Sequence, residues 1–427
     1  MIQEIKIKNF LSFKDEVKIN FEASKDKFAE EYQVVKINEN TRLLRFAIVY
    51  GYNASGKSNL LKVFETLHNF WFSIPEDMDD EIAVMPFKLD KTSPNEPSSF
   101  EIIFYVEGVK YWYQLVVDKY HVHSEKLSYY KSTQPTLLFD REFENGQSTI
   151  RFNPTLKVGN IVKESIIVRC LKNMSFFTAR NQVNTSIPLI DAAGEWMKSN
   201  FMQTIVPSTD LTGYAQKKTS GDKKLTKYIL DFLHEADFNI TDIKTDVITK
   251  PISEEFLEMI LHMEDLSKEE KELLKKEKSL KHLRTVFEHT VVNERGVETY
   301  LLNLNENEES RGTMRTFGIE AALYNALNRN SFLAIDEIEN SLHPKLLEKI
   351  LFEYLKTKSK SQILVTTHND GLLDLVDDLI RKDSVWFTEK KKSGVTDLYK
   401  LTDFRGVNRL SSIREAYRNK RFGATMG

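Results

Sequence analysis

Polar and apolar positions alternate from the first residues of the chain. Ile5 and Ile7, then Val17, Ile19 and Phe21, keep a period of two and predict the two strands of an opening hairpin. Residues 43–50 form a continuous apolar run broken only by Arg45, the pattern of a strand buried on both faces. The run leads straight into Gly51–Ser58, after which residues 59–72 take helical spacing. Tyr, Phe, Val and Ile dominate residues 100–130, with a turn at Glu107-Gly108. Residues 137–152 continue the pattern around Asn145-Gly146, a dipeptide that favours tight hairpin turns. An antiparallel meander is predicted there. Residues from about 160 to 235 read as mostly helical, with a polar stretch at 216–224 expected to be mobile.

Residues 251–282 are the most charged part of the chain. Met259, Leu266, Leu273 and Leu280 recur every seven positions, but Glu270 and Glu277 break the companion positions of a coiled-coil seam. An exposed helix or short helical arm is predicted. Strand character returns over 287–303. A helix over about 313–329, a strand at 332–335, a helix over 343–357, a strand at 362–366 and a helix from about Leu372 follow. Alternating strands and helices predict a parallel sheet covered by helices. The fold class expected is therefore α/β, with a parallel sheet, flanking helices and an antiparallel β-subdomain.

Composition narrows this picture only at the margins. The chain has 427 residues, of which 60 are Lys or Arg and 63 are Asp or Glu, for a formal net charge of −3. A near-neutral balance argues against coating nucleic acid by bulk electrostatics, while a local basic patch stays open. Cys170 is the sole cysteine, which excludes an intramolecular disulfide framework and a multi-cysteine zinc site and fits a reducing cytoplasm. The charged, alternating amino terminus predicts no signal peptide, and the sequence holds no apolar run of membrane-spanning length.

Four segments carry chemistry. Gly51-Tyr52-Asn53-Ala54-Ser55-Gly56-Lys57-Ser58 satisfies the phosphate-loop pattern between a predicted strand and a predicted helix. Its glycines let the backbone curl so that N–H groups point inward, Lys57 reaches the β/γ-phosphates, and the Ser58 hydroxyl is a Mg²⁺ ligand. The helix beginning near Asn59 adds its positive end. The second segment, 332–337, is an apolar strand ending in Asp336 and Glu337. Asp336 is expected to hold Mg²⁺ through water, and Glu337 to polarise the attacking water as general base. The third, 362–368, is an apolar strand ending in His368, which a parallel sheet would bring to the same edge, close to the γ-phosphate. The fourth is Ser310-Arg311-Gly312-Thr313. Its hydroxyls, its glycine and its place before a helix make a second candidate anion-binding helix start.

The order of these four segments resembles that of ATP-binding-cassette ATPases. The tract Glu339-Asn340-Ser341-Leu342-His343-Pro344 lies where those proteins have their D-loop. The opening Ile-Lys-Ile-Lys-Asn-Phe-Leu-Ser-Phe and the tracts at 383–390, 401–404 and 421–424 are similar to the RecF, SMC and OLD branch. The nearest likeness is to OLD-like ATPases without a fused TOPRIM nuclease, of the abortive-infection AbiLi type. The resemblance implies a head-to-tail homodimer or higher oligomer, with each nucleotide between the phosphate loop of one subunit and Ser310, Gly312 and Thr313 of the other. It departs from the family at two points. Ser310-Arg311-Gly312-Thr313 stands where the signature usually reads Leu-Ser-Gly-Gly-Gln, and no glutamine takes the Q-loop place, Gln114 lying in strand-like sequence.

The function expected is a Mg²⁺-dependent ATPase switch in bacterial anti-phage defence. It would control a separately encoded effector, a nuclease or toxin, since too few residues follow His368 for a TOPRIM domain. A RecF/SMC-like DNA-repair or DNA-binding ATPase is the alternative. A transporter subunit fits less well, given the signature and the aromatic meander. Arg284 and His289 have the spacing of a HEPN ribonuclease pair, in sequence that leans toward strand. Lys57 and Asp336 must meet at one metal, so both ends of the chain should build one head. The organisation expected is a first head segment over 1–160, a mainly helical lobe over 161–285 and a second head segment over 286–427.

Overall fold

The computed structural model describes residues 1–236, 238–262, 268–295 and 298–425. The chain divides into two compact units. The first comprises Met1–Pro207, Asn325–Asn340 and Ile350–Gly427, and the second Ser208–Tyr324 and Ser341–Lys349. The first unit is thus assembled from both ends of the chain. The division falls later than the expected boundaries after 160 and 285, because the helices following the meander join the core of the first unit. Ile166, Phe176, Phe177, Ile190, Trp196 and Met197 are buried in the same cluster as the phosphate-loop helix.

The first unit contains two large sheets. Ile2–Lys8 pairs antiparallel with Val17–Asn20, Ile5 facing Ile19, as the alternation predicts. Ile2–Lys8 also pairs with Ser98–Val106, the first strand of the meander. Val109–Val117, Val122–Tyr130, Pro135–Glu144 and Gln147–Phe152 complete seven antiparallel strands. Glu107-Gly108 and Asn145-Gly146 all take positive φ, the conformation that two-residue hairpin turns demand.

The second sheet is mainly parallel. Its order is Phe332–Ile335, Gln362–Thr367, Phe46–Tyr50, Val385–Lys390 and Thr396–Lys400, with only the last strand antiparallel. The three strands carrying candidate chemistry are buried along their whole length. The helix Lys57–Phe72 buries Leu60, Leu61, Val63, Phe64, Leu67, Phe70 and Trp71, one face at helical spacing. Phe64 stacks on Phe332 with ring centroids 4.9 Å apart, and Trp71 meets Phe201 edge-on at 4.9 Å. Each such ring contributes about 1.5–3 kcal/mol by leaving water. These contacts tie the phosphate-loop helix to the strand that ends in Asp336.

The apolar run at 43–50 proves to be two strands. Arg42–Leu44 pairs with Val34–Lys36, and Phe46–Tyr50 enters the parallel sheet. Arg45 marks the break. Its guanidinium is buried, donates to the carbonyls of Tyr32, Thr357 and Ser361, and lies over the Tyr354 ring. A buried cation needs such partners, and a straight strand could not supply them.

In the second unit, Leu211–Thr219 and Lys223–Glu235 are helices capped by Asp210 and Asp222. The polar stretch expected to be mobile forms the end of one helix and the start of the next. Among the described residues the charged region holds two helices, Glu254–Leu261 and Lys268–Glu277. Met259 and Leu273 are exposed, and Leu266 of the seven-residue repeat lies outside the described residues. Helical character holds to Glu235, after which Ile240–Pro251, Ser279–Val292 and Glu298–Asn305 add a three-stranded antiparallel sheet. Arg284 and His289 sit on one of those strands. An odd spacing sends them to opposite faces, so they are not brought together as a ribonuclease pair. His289 pairs instead with Glu309 at 2.5 Å. No helix among the described residues is long and apolar enough to cross a membrane.

Candidate nucleotide site

The site is built from strand register. In the parallel sheet Ile335 lies opposite Val365, and Thr367 lies opposite Tyr50. The next residues along each strand are Asp336, His368 and Gly51. Parallel strands end at one edge when their registers match, so this edge receives the phosphate loop, the two carboxylates and the histidine together. All of these residues belong to the first unit.

The loop around Gly51–Ser58 is shaped by its glycines and braced from the far end of the chain. Gly56 has φ 112°, and a Cβ there would come within 2.5 Å of the Thr396 hydroxyl. A Cβ on Gly51 would come within 2.5 Å of the Thr388 hydroxyl. Ser55 and Thr388 share a hydrogen bond of 2.7 Å, and Thr396 donates to the Ser55 carbonyl at 3.0 Å. Asn59 donates to the Ser12 hydroxyl at 2.8 Å, the Ser12 and Thr396 hydroxyls are hydrogen-bonded at 2.8 Å, and the Tyr52 hydroxyl donates to the Lys390 carbonyl at 2.9 Å. Asn53, Ala54 and Ser58 are exposed, while Ser55, Gly56 and Lys57 are buried.

No side chain caps the helix that starts at Lys57. Its first N–H groups and its positive end are left for an anion. Lys57 donates to the Gly51 carbonyl at 2.7 Å and to that of Tyr52 at 3.3 Å, folding back over the loop. Burial lowers the pKa of its ammonium, while Glu339, Asp336 and Glu337 pull it upward, so the carboxylates lie within electrostatic reach of the lysine.

One hydroxyl organises the carboxylates. Thr366 donates to Asp336 Oδ1 at 2.5 Å and accepts from the Glu337 backbone N–H at 2.9 Å. The Asp336 N–H donates to the Ile205 carbonyl at 2.7 Å. Glu337 has φ 46°, a left-handed conformation that costs a non-glycine residue energy and turns the chain sharply beside Asp336. His368 is exposed, with Nδ1 2.9 Å from Glu339 Oε1, which also accepts from the His368 N–H at 2.7 Å.

Ser310, Gly312 and Thr313 belong to the second unit. The Thr313 N–H donates to the Ser310 hydroxyl at 3.0 Å, and the two hydroxyls lie 2.8 Å apart. Ser310 therefore caps the helix Arg311–Arg329.

The donor set fits a magnesium–nucleotide complex. The Ser58 hydroxyl and the Asp336 carboxylate are hard oxygen donors of the kind Mg²⁺ prefers, and the uncapped helix start with Lys57 offers the complementary positive charge for phosphate. Sequence reasoning missed the supporting shell. Thr366 was visible as a polar residue ending an apolar strand, and Glu339 sat in the D-loop tract without a role toward His368. Ser12, Thr388 and Thr396 carried no local signal. Gln114, the glutamine weighed for a Q-loop, lies within Val109–Val117, paired with Glu101 and Lys126.

Residues 46–174 and 222–374 match the family described as "AAA domain, putative AbiEii toxin, Type IV TA system", more than half of the chain. The chain belongs to this family. The parallel sheet with its phosphate loop and the separate antiparallel sheet give this AAA-domain protein an α/β fold with an antiparallel β-subdomain. No curated protein sequence matches it. Among solved structures, the SMC head domain from Thermotoga maritima is similar at 12% identity and a TM-score of 0.41, covering 93% of this chain and 98% of that one. An SMC head bound to the C-terminal winged-helix domain of ScpA is similar at 12% identity and a TM-score of 0.44, covering 98% and 99%. An SMC head with an extended coiled coil, bound to the C-terminal domain of ScpA derived from Pyrococcus furiosus, gives 12% and 0.42, covering 99% and 98%. These values mark a loose likeness of backbone course and nothing finer.

Proposed function

We propose that this AAA-domain protein is a Mg²⁺-dependent ATPase that works as a dimeric switch. The observation that carries the reading is the strand register that delivers Gly51, Asp336 and His368 to one sheet edge. Asn53, Ala54, Ser55, Gly56 and Asn59 cradle the phosphates with the loop backbone and helix start, and Lys57 turns from the Gly51 carbonyl to the β/γ-phosphates. Ser58 and Asp336 hold Mg²⁺, which supplies charge neutralisation to the phosphate oxygens. Glu337 takes the proton of the attacking water, and His368, held by Glu339, faces the γ-phosphate. Ser310, Gly312 and Thr313 complete the site of a second copy.

In this reading the switch acts in the cytoplasm of a bacterial cell under phage attack and governs a separately encoded effector. The setting agrees in kind with the toxin–antitoxin wording of the family. The OLD-like, AbiLi-type resemblance of the motifs points the same way.

The test is Glu337→Gln. Loss of a general base lowers turnover by about 10²–10⁴-fold. The variant should still bind ATP and should accumulate as a dimer in size-exclusion chromatography, whereas Lys57→Ala should lose binding. Wild-type turnover in Glu337→Gln would remove the general-base assignment. A pull-down with the ATP-loaded variant should retain a protein effector. Recovery of DNA alone, with an ATP-dependent and salt-sensitive mobility shift, would move the protein to the RecF/SMC-like class.

A further inference from the structure

We propose that Asp118, His121 and His123 form a binding site for a divalent transition-metal ion of the zinc class, at the turn between Val109–Val117 and Val122–Tyr130. One candidate ligand atom from each residue lies within 4.8 Å of the others. The cluster lies in the antiparallel sheet, away from the parallel-sheet edge that carries the phosphate loop.

The local sequence explains the convergence. Asp118-Lys119-Tyr120-His121-Val122-His123 is a tight turn closed by the Asp118 N–H donating to the His121 carbonyl at 3.1 Å. Val117 faces Val122 while Val116 faces Ser124, so His123 is the extra residue of a β-bulge that re-aims its side chain, and Val122 is buried between the two histidines. Their rings lie 4.2 Å apart, centroid to centroid. The Asp118 carboxylate is oriented before any ligand arrives, because Oδ1 accepts from the N–H groups of Tyr120 at 2.7 Å and His121 at 2.9 Å. Oδ2 lies 2.7 Å from His123 Nε2.

The chemistry of the set is selective. Two imidazoles and one carboxylate are the donors of zinc and related ions, and they suit Mg²⁺ poorly. Bonds of about 2.0–2.2 Å in a tetrahedral site place ligand atoms roughly 3.3–3.6 Å apart. The observed spacing reaches that by small side-chain rotations. The ion would replace the proton shared by Asp118 and His123. Side-chain exposures of 26–37% make the site reachable and leave a position for water or a further ligand. Phe143 packs on the His121 ring with centroids 4.7 Å apart and supplies an apolar wall. The nearby cations are already neutralised: Lys172 pairs with Asp79 at 2.8 Å, and Lys119 with Glu81 at 2.6 Å.

The position gives the ion a mechanical consequence. Three chain segments meet at this turn. The Ile82 N–H donates to the Lys119 carbonyl at 2.8 Å, and the Val122 N–H donates to the Lys172 carbonyl at 2.8 Å. A metal at the turn would fasten the hairpin against which both segments rest.

The experiment uses the untagged full chain, stripped with chelator, in an Asp336→Asn background that weakens metal binding at the phosphate loop. Co²⁺ should develop the visible absorption of a low-coordinate site at one ion per chain. Zn²⁺ should displace it and raise the melting temperature. His121→Ala and His123→Ala should each weaken Co²⁺ binding by at least about 100-fold and abolish the Zn²⁺-induced shift, since even outer-shell losses cost 10–100-fold. Asp118→Asn, which keeps the shape of the turn, should weaken binding as well. Absence of a Co²⁺ spectrum in the parent, or a spectrum and Zn²⁺ shift unchanged in both histidine variants, would overturn the proposal. In that case Asp118 and His123 form only a hydrogen-bonded brace.

Discussion

The two helix starts singled out for anion binding are built in opposite ways. The helix at Lys57 begins after Gly56, whose left-handed backbone brings no side chain, and no cap closes it. The helix at Arg311 begins after Ser310, whose hydroxyl accepts from the Thr313 N–H. An uncapped start keeps its backbone donors for a ligand, whereas a capped start has already spent one of them on its own chain. In the proposed reading the first is thus a preformed phosphate site. The second must share or release its serine to take part, which suits a contact made only when a second subunit arrives.

The sharpest way to break this contrast is to add one methyl group to each glycine. Gly56→Ala meets both a positive φ and the Thr396 hydroxyl, so it should cost about 1–3 kcal/mol of stability and weaken nucleotide binding by at least about 100-fold. Gly312→Ala has ordinary helical backbone and meets the Ser341 carbonyl at 3.3 Å and the Ser310 hydroxyl at 3.7 Å. The gain in helix propensity, up to about 1 kcal/mol, offsets that crowding and should leave stability within about 1 kcal/mol of the parent. Thermal melts and nucleotide titrations of the pair decide the matter, and equal losses would erase the distinction.

Thr366→Val comes next. It removes the hydroxyl that joins Asp336 to the Glu337 N–H without changing the volume of the strand. Turnover should fall about 10–100-fold with a raised Mg²⁺ requirement, the scale of lost outer-shell support, while nucleotide binding without metal stays near the parent value. An unchanged Mg²⁺ titration would show that Asp336 holds its orientation without help.

Smaller effects are expected at the capped start. Ser310→Ala should lower stability by about 1 kcal/mol, the usual worth of an N-cap, and Ser310→Asp should restore it because aspartate caps equally well. If Ser310 also meets phosphate in the dimer, the carboxylate of Ser310→Asp will repel it. ATP-driven association, followed by light scattering, should then fail although stability is intact. Normal association in Ser310→Asp would leave the serine as a cap alone.

The smallest effect separates the two starts by pH. Burial lowers the Lys57 pKa, so the free protein loses this positive charge at lower pH than an exposed lysine would. Since phosphate prefers the charged form, nucleotide affinity should decline early on the alkaline side, whereas the Ser310 start has no such group. A pH-independent affinity up to the ordinary lysine range would contradict the assigned role of Lys57.

Much of the fold was legible because it follows local rules. The strand Phe332–Ile335 and the helix Arg311–Arg329 fall within two residues of the expected bounds, since apolar period and helix propensity act over short range. The Asn145-Gly146 turn follows from the backbone freedom of those two residues. Three readings were displaced by partners distant in the chain. Arg45 split an apolar run because carbonyls near residues 357–361 receive its charge. The expected helix from Leu372 became the 3₁₀ segment Asp370–Leu375, which Arg414 and Arg418 grip through Asp370. The helix Lys268–Glu277 of the charged region gives way to a strand at Ser279 that pairs with Pro251.

By itself the sequence marked the segments to which the proposed chemistry is assigned: a glycine-framed loop with Lys57 and Ser58, a strand ending in Asp336 and Glu337, and another ending in His368. Short-range sterics and charge are enough to mark such segments, because each acts within a few residues. Only the tertiary structure decided how they are held. The parallel register aligns strand ends that lie hundreds of residues apart, and Thr388, Thr396 and Ser12 brace the loop from sequence with no pattern of its own. Hydrogen bonds of that kind depend on distance and angle in space, and no local rule encodes them.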